Sequence, residues 1–132
     1  MPVSIMEVRF MDTVKITRAG IPDKPMVIYI PPDGNIRLIR EENAAEMILP
    51  VIDRVNVQYM GKTPYILCSF KKNIVRIEGS TYIFPGFLIM KKEGDKVDAL
   101  PFEEVDRALT EFESRLLEIN IGGVRMSAYS AD

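Results

Sequence analysis

Histidine and tryptophan are absent from this chain of 132 residues, and cysteine occurs once, at Cys68. Each absence removes a class of chemistry. Without histidine there is no Ser-His-Asp triad and no Cys-His pair, because the nucleophile in both relies on imidazole as its base. Zinc sites draw on several cysteines or histidines and are excluded as well. A lone cysteine closes no intrachain disulfide, which argues against a secreted scaffold held by crosslinks. Cys68 lies in the apolar run Tyr65-Ile66-Leu67-Cys68-Ser69-Phe70, where a free thiol acts as a small buried hydrophobe. Glutamine occurs once, at Gln58. Scarce amides are a feature of some thermophile proteins, although eight methionines point the other way.

Long hydrophobic runs are also missing. No stretch approaches the roughly 18 apolar residues of a membrane span. The first apolar stretch carries Glu7 and Arg9, which spoils the core of a secretory leader. A cytoplasmic protein without a membrane partner is expected. The net charge of −2 lacks the cationic surplus with which most nucleic-acid binders neutralise phosphates.

What is present is an ordinary globular composition, 47% hydrophobic and 27% charged, at a length suited to one domain. Val3 to Ile16 alternates, with Met6, Val8 and Phe10 on one face, a period of two that predicts a strand. Arg18 to Pro25 reads as a loop. Met26 to Ile30 and Ile36 to Arg40 flank Pro31-Pro32-Asp33-Gly34-Asn35, the pattern of a β-hairpin. Asn43 and Glu46 have the spacing of a capping box. The helix that follows places Ala44, Met47, Ile48, Val51 and Ile52 on one face. Pro50 either stops it near Leu49 or kinks it before it resumes to about Arg54. Further strands are expected at Val55–Tyr59, Pro64–Phe70, Ile74–Ile77, Thr81–Phe84 and Phe87–Met90. Asp98 or a neighbour is expected to cap a second helix, with Pro101 in its first turn. The stripe Phe102, Val105, Leu109, Phe112, Leu116, Ile119 steps by 3, 4, 3, 4 and 3 residues. That spacing predicts one long helix, ended by Gly122-Gly123 as a C-cap. Val124 to Asp132 reads as a flexible tail, with a strand over Val124–Tyr129 as the minority reading.

The expected fold is therefore α+β. About seven mostly antiparallel strands form a sheet or partly closed barrel, with a short mid-chain helix and a long C-terminal helix. Residues 1–123 form the single domain.

No catalytic constellation stands out. Asp95, Asp98, Glu103, Glu104 and Asp106 match no calcium loop, and they read as turn residues and an acidic helix start. Glu78 and Asp12 are isolated carboxylates. Gly122-Gly123 follows a helix, whereas a phosphate loop precedes one. No catalytic residue, cofactor or metal is assigned.

Charge is nevertheless uneven. Lys62, Lys71, Lys72, Arg76, Lys91, Lys92 and Lys96 face only Glu78, Glu93 and Asp95 between residues 61 and 96. Residues 97–132 hold three basic against eight acidic side chains. Such polarity suits a solvated surface, or docking onto a partner or a second copy. The candidate interface comprises Lys71, Lys72, Lys91 and Lys92, the aromatics Tyr82, Phe84 and Phe87, and Phe112 and Leu116 from the helical stripe. A strict stripe serves core packing or helix pairing equally. Basic strands with Tyr82, Phe84 and Phe87 also suit stacking on single-stranded nucleic acid, and a small carboxylate enzyme is the remaining alternative.

In its size, its lack of His and Trp, its β-rich body from Val3 to Met90 and its acidic helix from Pro101 to Ile119, the chain resembles the arcadins. These are small accessory proteins encoded beside the actin-like filament protein of some crenarchaea. The resemblance implies a non-enzymatic, cytoplasmic, cytoskeleton-associated role with an actin-like filament protein as partner, and it transfers no site residues. The function expected is a protein-binding or assembly module, with homo-oligomerisation as one route.

Overall fold

The computed structural model describes residues 24–132. The strand expected over Val3–Ile16, with Asp12, lies outside the described residues. The rest is α+β, with ten antiparallel strands in two sheets and two helical segments among the described residues.

Strands β1 (Met26–Ile30) and β2 (Arg37–Arg40) form the expected hairpin. Its turn is closed by Gly34 N–H donating to Pro31 O at 2.9 Å. Helix α1 (Glu41–Ile48) runs on as a 3₁₀ segment, Leu49–Arg54. The expected capping box is not used. Arg40 occupies the cap without a side-chain hydrogen bond, and Asn43 lies inside the helix. Glu41 and Glu42 instead place negative charge at the helix start, where the backbone dipole favours it. The Glu41 carboxylate also accepts from Ala99 N–H at 2.9 Å. Pro50 sits near the start of the 3₁₀ segment, where its missing N–H costs little. Of the predicted apolar face only Ala44 is buried, while Met47 and Ile52 are exposed.

Next come β3 (Val55–Tyr59), β4 (Tyr65–Phe70), β5 (Ile74–Ile77), β6 (Ser80–Ile83), β7 (Phe87–Glu93) and β8 (Lys96–Asp98). Helix α2 (Phe102–Glu113) is followed by β9 (Leu116–Ile121) and β10 (Val124–Ser130). Pro101 is the cap rather than the first helical residue, and Asp98 belongs to β8.

The long C-terminal helix is thus a correction: α2 ends at Glu113. Leu116 and Ile119 extend the helical stripe, but Leu117, Ile119 and Ile121 also alternate with Glu118 and Asn120. A strand wins because it gains a partner. Gly122 and Gly123 have φ of 57° and 85°, the double positive φ of a two-residue hairpin turn. Val124 to Ser130 then pairs with both β9 and β6. The stretch expected as a tail is mostly this strand.

The larger sheet has the order β2-β1-β7-β4-β3, with β8 beside β7; the smaller is β5-β6-β10-β9. This is not a barrel, since the strands divide into separate layers. The main core lies between them. Ile28, Ile30, Leu67, Phe87 and Ile89 of the larger sheet meet Val105, Leu109 and Phe112 of α2 and Ile83, Leu116 and Tyr129 of the smaller sheet. Phe87, Phe112 and Tyr129 join the three layers. Phe87 meets Phe112 edge-on at 5.2 Å, and Phe112 stacks on Tyr129 at 5.8 Å, geometries favoured by the ring quadrupoles. The opposite face of the larger sheet carries a second cluster of Val27, Ala44, Ile66, Cys68, Leu88, Met90 and Ala99, beneath α1.

Candidate functional site

The predicted interface residues do not form one surface. In the β4–β7 register, Ser69 faces Phe87 and Tyr65 faces Lys91. Lys71 and Lys72 follow the end of β4, so they lie at the opposite end of the sheet from Lys91 and Lys92. A six-residue strand separates the two pairs by about 20 Å, so the basic block is split. Each lysine is also engaged. Lys71 donates to Asp53 O at 3.0 Å. Lys72 lies over the Phe70 ring and Lys92 over the Tyr59 ring.

Lys91 belongs to a network joining β4, β7 and α2. Its Nζ lies 3.0 Å from Glu104 Oε2 and 3.2 Å from Glu93 Oε1. Tyr65 Oη donates to Glu104 Oε1 at 2.8 Å, and Arg107 covers the Tyr65 ring. Burial alone would raise the Glu104 pKa, but hydrogen bonds from Tyr65 and Lys91 hold it below the usual carboxylate range. Burial and the Glu104 bond push the Tyr65 phenol up, and the two carboxylates push the Lys91 ammonium up. Opposite charges are thus matched within the fold.

Among the aromatic and stripe residues, Phe87, Phe112 and Leu116 are core residues. This corrects their place in an interface: they fill the space between the sheets and α2. Phe84 is half-buried beyond the end of β6, its N–H bonded to Asn73 O at 2.9 Å. Tyr82 is half-buried on the outer face of the smaller sheet. Glu78 has a φ of 52° and forms the β5–β6 turn with Gly79, a conformational role.

A cavity of about 320 Å³ opens between the C-terminal end of α1 and the larger sheet, walled by Tyr29, Ile48, Val55, Phe70 and Leu88. Cys68 also lines it, with its thiol pushed up to about 12 by burial, so it is protonated and a poor nucleophile at neutral pH. Among the described residues no three His, Cys, Asp or Glu side chains converge as metal ligands, and no helix is long and apolar enough to cross a membrane.

The feature that sequence reasoning missed is the outer face of the smaller sheet. In the β9–β10 hairpin, Ile121 pairs with Val124, Ile119 with Met126 and Leu117 with Ala128. Strand alternation puts all six on one face. The other face carries Glu118, Asn120, Arg125 and Ser127, with Arg125 Nε 3.1 Å from Glu118 Oε1. Leu116 and Tyr129 anchor the root of that polar face in the core. Most of the apolar face looks outward, with Val124 60% exposed, Leu117 45%, Ile121 43% and Met126 40%, while Ala128 at its root is buried. The Val75–Tyr82 and Ile77–Ser80 pairs of β5 and β6 continue it, and Ser130 pairs with Tyr82. Among the described residues no charged side chain stands on this face. The signal available in the sequence was the alternation on both sides of Gly122-Gly123.

Comparison with family models, with curated proteins and with solved structures finds no match.

Proposed function

We propose that this chain is a non-enzymatic protein-binding or assembly module that docks through the outer face of its four-stranded sheet. The observation that carries the reading is the apolar face of the β9–β10 hairpin, on which Val124, Leu117, Ile121 and Met126 stand in water with no charged side chain on the same face among the described residues. Contiguous exposed apolar surface of this kind marks interaction sites. The lysines, by contrast, are split between two ends of the larger sheet, and Lys91 is matched by Glu93 and Glu104. They serve as secondary contacts.

The resemblance to the arcadins supports a finer reading: a cytoplasmic accessory of an archaeal actin-like cytoskeleton, with the filament protein as its partner. Stacking on single-stranded nucleic acid has less support, because Phe87 is buried and the basic residues do not line one groove.

The test is affinity capture from lysate of the source cells, comparing the native chain with the double variant Val124→Glu/Met126→Glu. The proposal expects a stoichiometric protein on the native chain and at least tenfold less on the variant. Equal capture by both, with the variant folded by circular dichroism, contradicts it.

A further inference from the structure

The cavity beside α1 is floored by side chains from one end of the larger sheet. Tyr29 pairs with Leu88 across β1 and β7, and Leu88 with Cys68 across β7 and β4. Val55 pairs with Phe70, two residues further along β4. Strand alternation points these side chains to one face, the face that carries the cluster beneath α1. The helix gives out before this floor is covered. It ends at Ile48, the chain leaves helical geometry at Val51, and the 3₁₀ segment buries none of its side chains. The small Cys68 side chain deepens the gap. The resulting space is about 320 Å³, within the range of small-ligand pockets. At roughly 30 Å³ for a water-sized group, it accommodates about ten non-hydrogen atoms.

Polarity is gathered at one end of the cavity. Lys72 and Asn73 follow β4 in a single 3₁₀ turn, and among the described residues Lys72 is the only charged side chain in the walls. Its Nζ lies 5.7 Å from the centre of the Phe70 ring, itself a wall. An aromatic face attracts a cation but carries no opposite charge to neutralise it. Lys72 forms no ion pair among the described residues. Its neighbour Lys71 turns instead to Asp53 O and does not line the space. The Asn73 amide donates to Pro85 O at 3.3 Å, which ties that end of the cavity to the β6–β7 connection.

Apolar walls and one uncompensated cation together select the ligand. A sugar would lose its hydration against Tyr29, Ile48 and Leu88 without hydrogen bonds in return. A cationic ligand would meet the Lys72 ammonium. A compact apolar body that ends in one carboxylate suits both halves of the site: the body leaves water for the walls, and the carboxylate accepts a charge-assisted hydrogen bond from Lys72. We infer that this cavity binds a small monocarboxylate, with its apolar part over Tyr29, Leu88 and Cys68 and its carboxylate at Lys72. The site lies on the face of the larger sheet turned away from α2 and the smaller sheet, so it is separate from the docking face proposed above.

The probe is octanoate, whose size matches the cavity. Calorimetric titration of the full chain, with octanoate kept below micelle formation, is expected to show one saturable site. Octylamine, with the same chain and the opposite charge, is expected to bind about tenfold more weakly. Lys72→Gln, at an exposed position, removes most of that preference. Lys62→Gln, in the β3–β4 turn and outside the walls, leaves it unchanged. Amide chemical shifts move at Cys68, Phe70 and Leu88 and stay in place at Ile121 and Val124. Absence of saturable binding overturns the inference. So do equal affinities for octanoate and octylamine, a preference that survives Lys72→Gln, and shifts confined to the β9–β10 hairpin. The capture comparison reads the other face, so the two proposals fail separately.

Discussion

The two sheets are built from similar strands but sit in different surroundings. The six-stranded sheet has α2 and the smaller sheet on one face and α1 on the other, so β4 is buried from Tyr65 to Ser69 and β7 from Phe87 to Met90. Among the described residues the four-stranded sheet faces the core on one side, and most of its other side is open. Ile83, Leu116 and Tyr129 are buried on the core side, while Val124, Leu117 and Ile121 on the other face are exposed. The difference teaches where stability and interaction separate. An apolar residue covered by a layer of the chain's own structure holds the fold, whereas one left bare serves a surface.

Substitutions should break along that line. Phe112→Ala removes a fully buried ring that touches Phe87 and Tyr129, and is expected to cost about 3–5 kcal/mol. Val124→Ala, on the bare face, is expected to stay within about 0.5 kcal/mol. Urea denaturation of the two variants, in dilute solution, measures the contrast directly. Comparable losses at both sites would erase the distinction between the faces.

Turns and close approaches come next. A Cβ at Gly86 would stand 2.8 Å from Ile30 O and 3.3 Å from Pro31 Cα, so Gly86→Ala must move backbone at the β1–β7 junction. A cost of roughly 1–3 kcal/mol is expected. At Gly123 a Cβ meets nothing within 4 Å, but φ is 85°, and Gly123→Ala is expected to cost about 1 kcal/mol from conformation alone. The first loss belongs to the two-sided sheet and the second to the β9–β10 hairpin. Thermal melts that rank them in the reverse order would contradict the packing described.

Acid should act chiefly through the covered sheet. Glu104 has its pKa held below the usual range in the folded state, so the unfolded chain takes up its proton first. The stability it contributes is present above the usual carboxylate range and is lost as pH falls through the lowered folded value. Glu104→Gln should flatten the acid limb of a stability–pH curve, and an unchanged limb would remove this role. The smallest effect is expected at Ser69, whose Oγ is buried without a partner among the described residues. Ser69→Ala should be neutral or slightly stabilising.

Local chemistry made some of this legible from the residues. Pro31 to Asn35 announced the β1–β2 hairpin because turn residues act within a few positions. Phe102 to Phe112 announced α2 and its buried stripe. Cys68 was readable as core from its apolar neighbours. Beyond Glu113, residues such as Leu116 and Ile119 satisfied a helical period and a strand period at once. Pairing with β6, more than thirty residues earlier in sequence, contributed to the outcome. No local window contains that partner. The candidate site was hidden for the same reason: Gly122-Gly123 looks like a helix stop until Val124, Met126 and Ala128 are seen to mirror Ile121, Ile119 and Leu117. The lysines looked like one block because they are close in sequence, whereas the β4–β7 register sends them to opposite ends.

The most direct test is the rate at which a thiol placed on the bare face reacts. Val124→Cys adds one probe, and Cys68, buried with its pKa pushed up to about 12, stays silent beside it. Maleimide labelling should be fast, because Val124 stands largely in water. Slow labelling even at high dilution would show that the face is never bare.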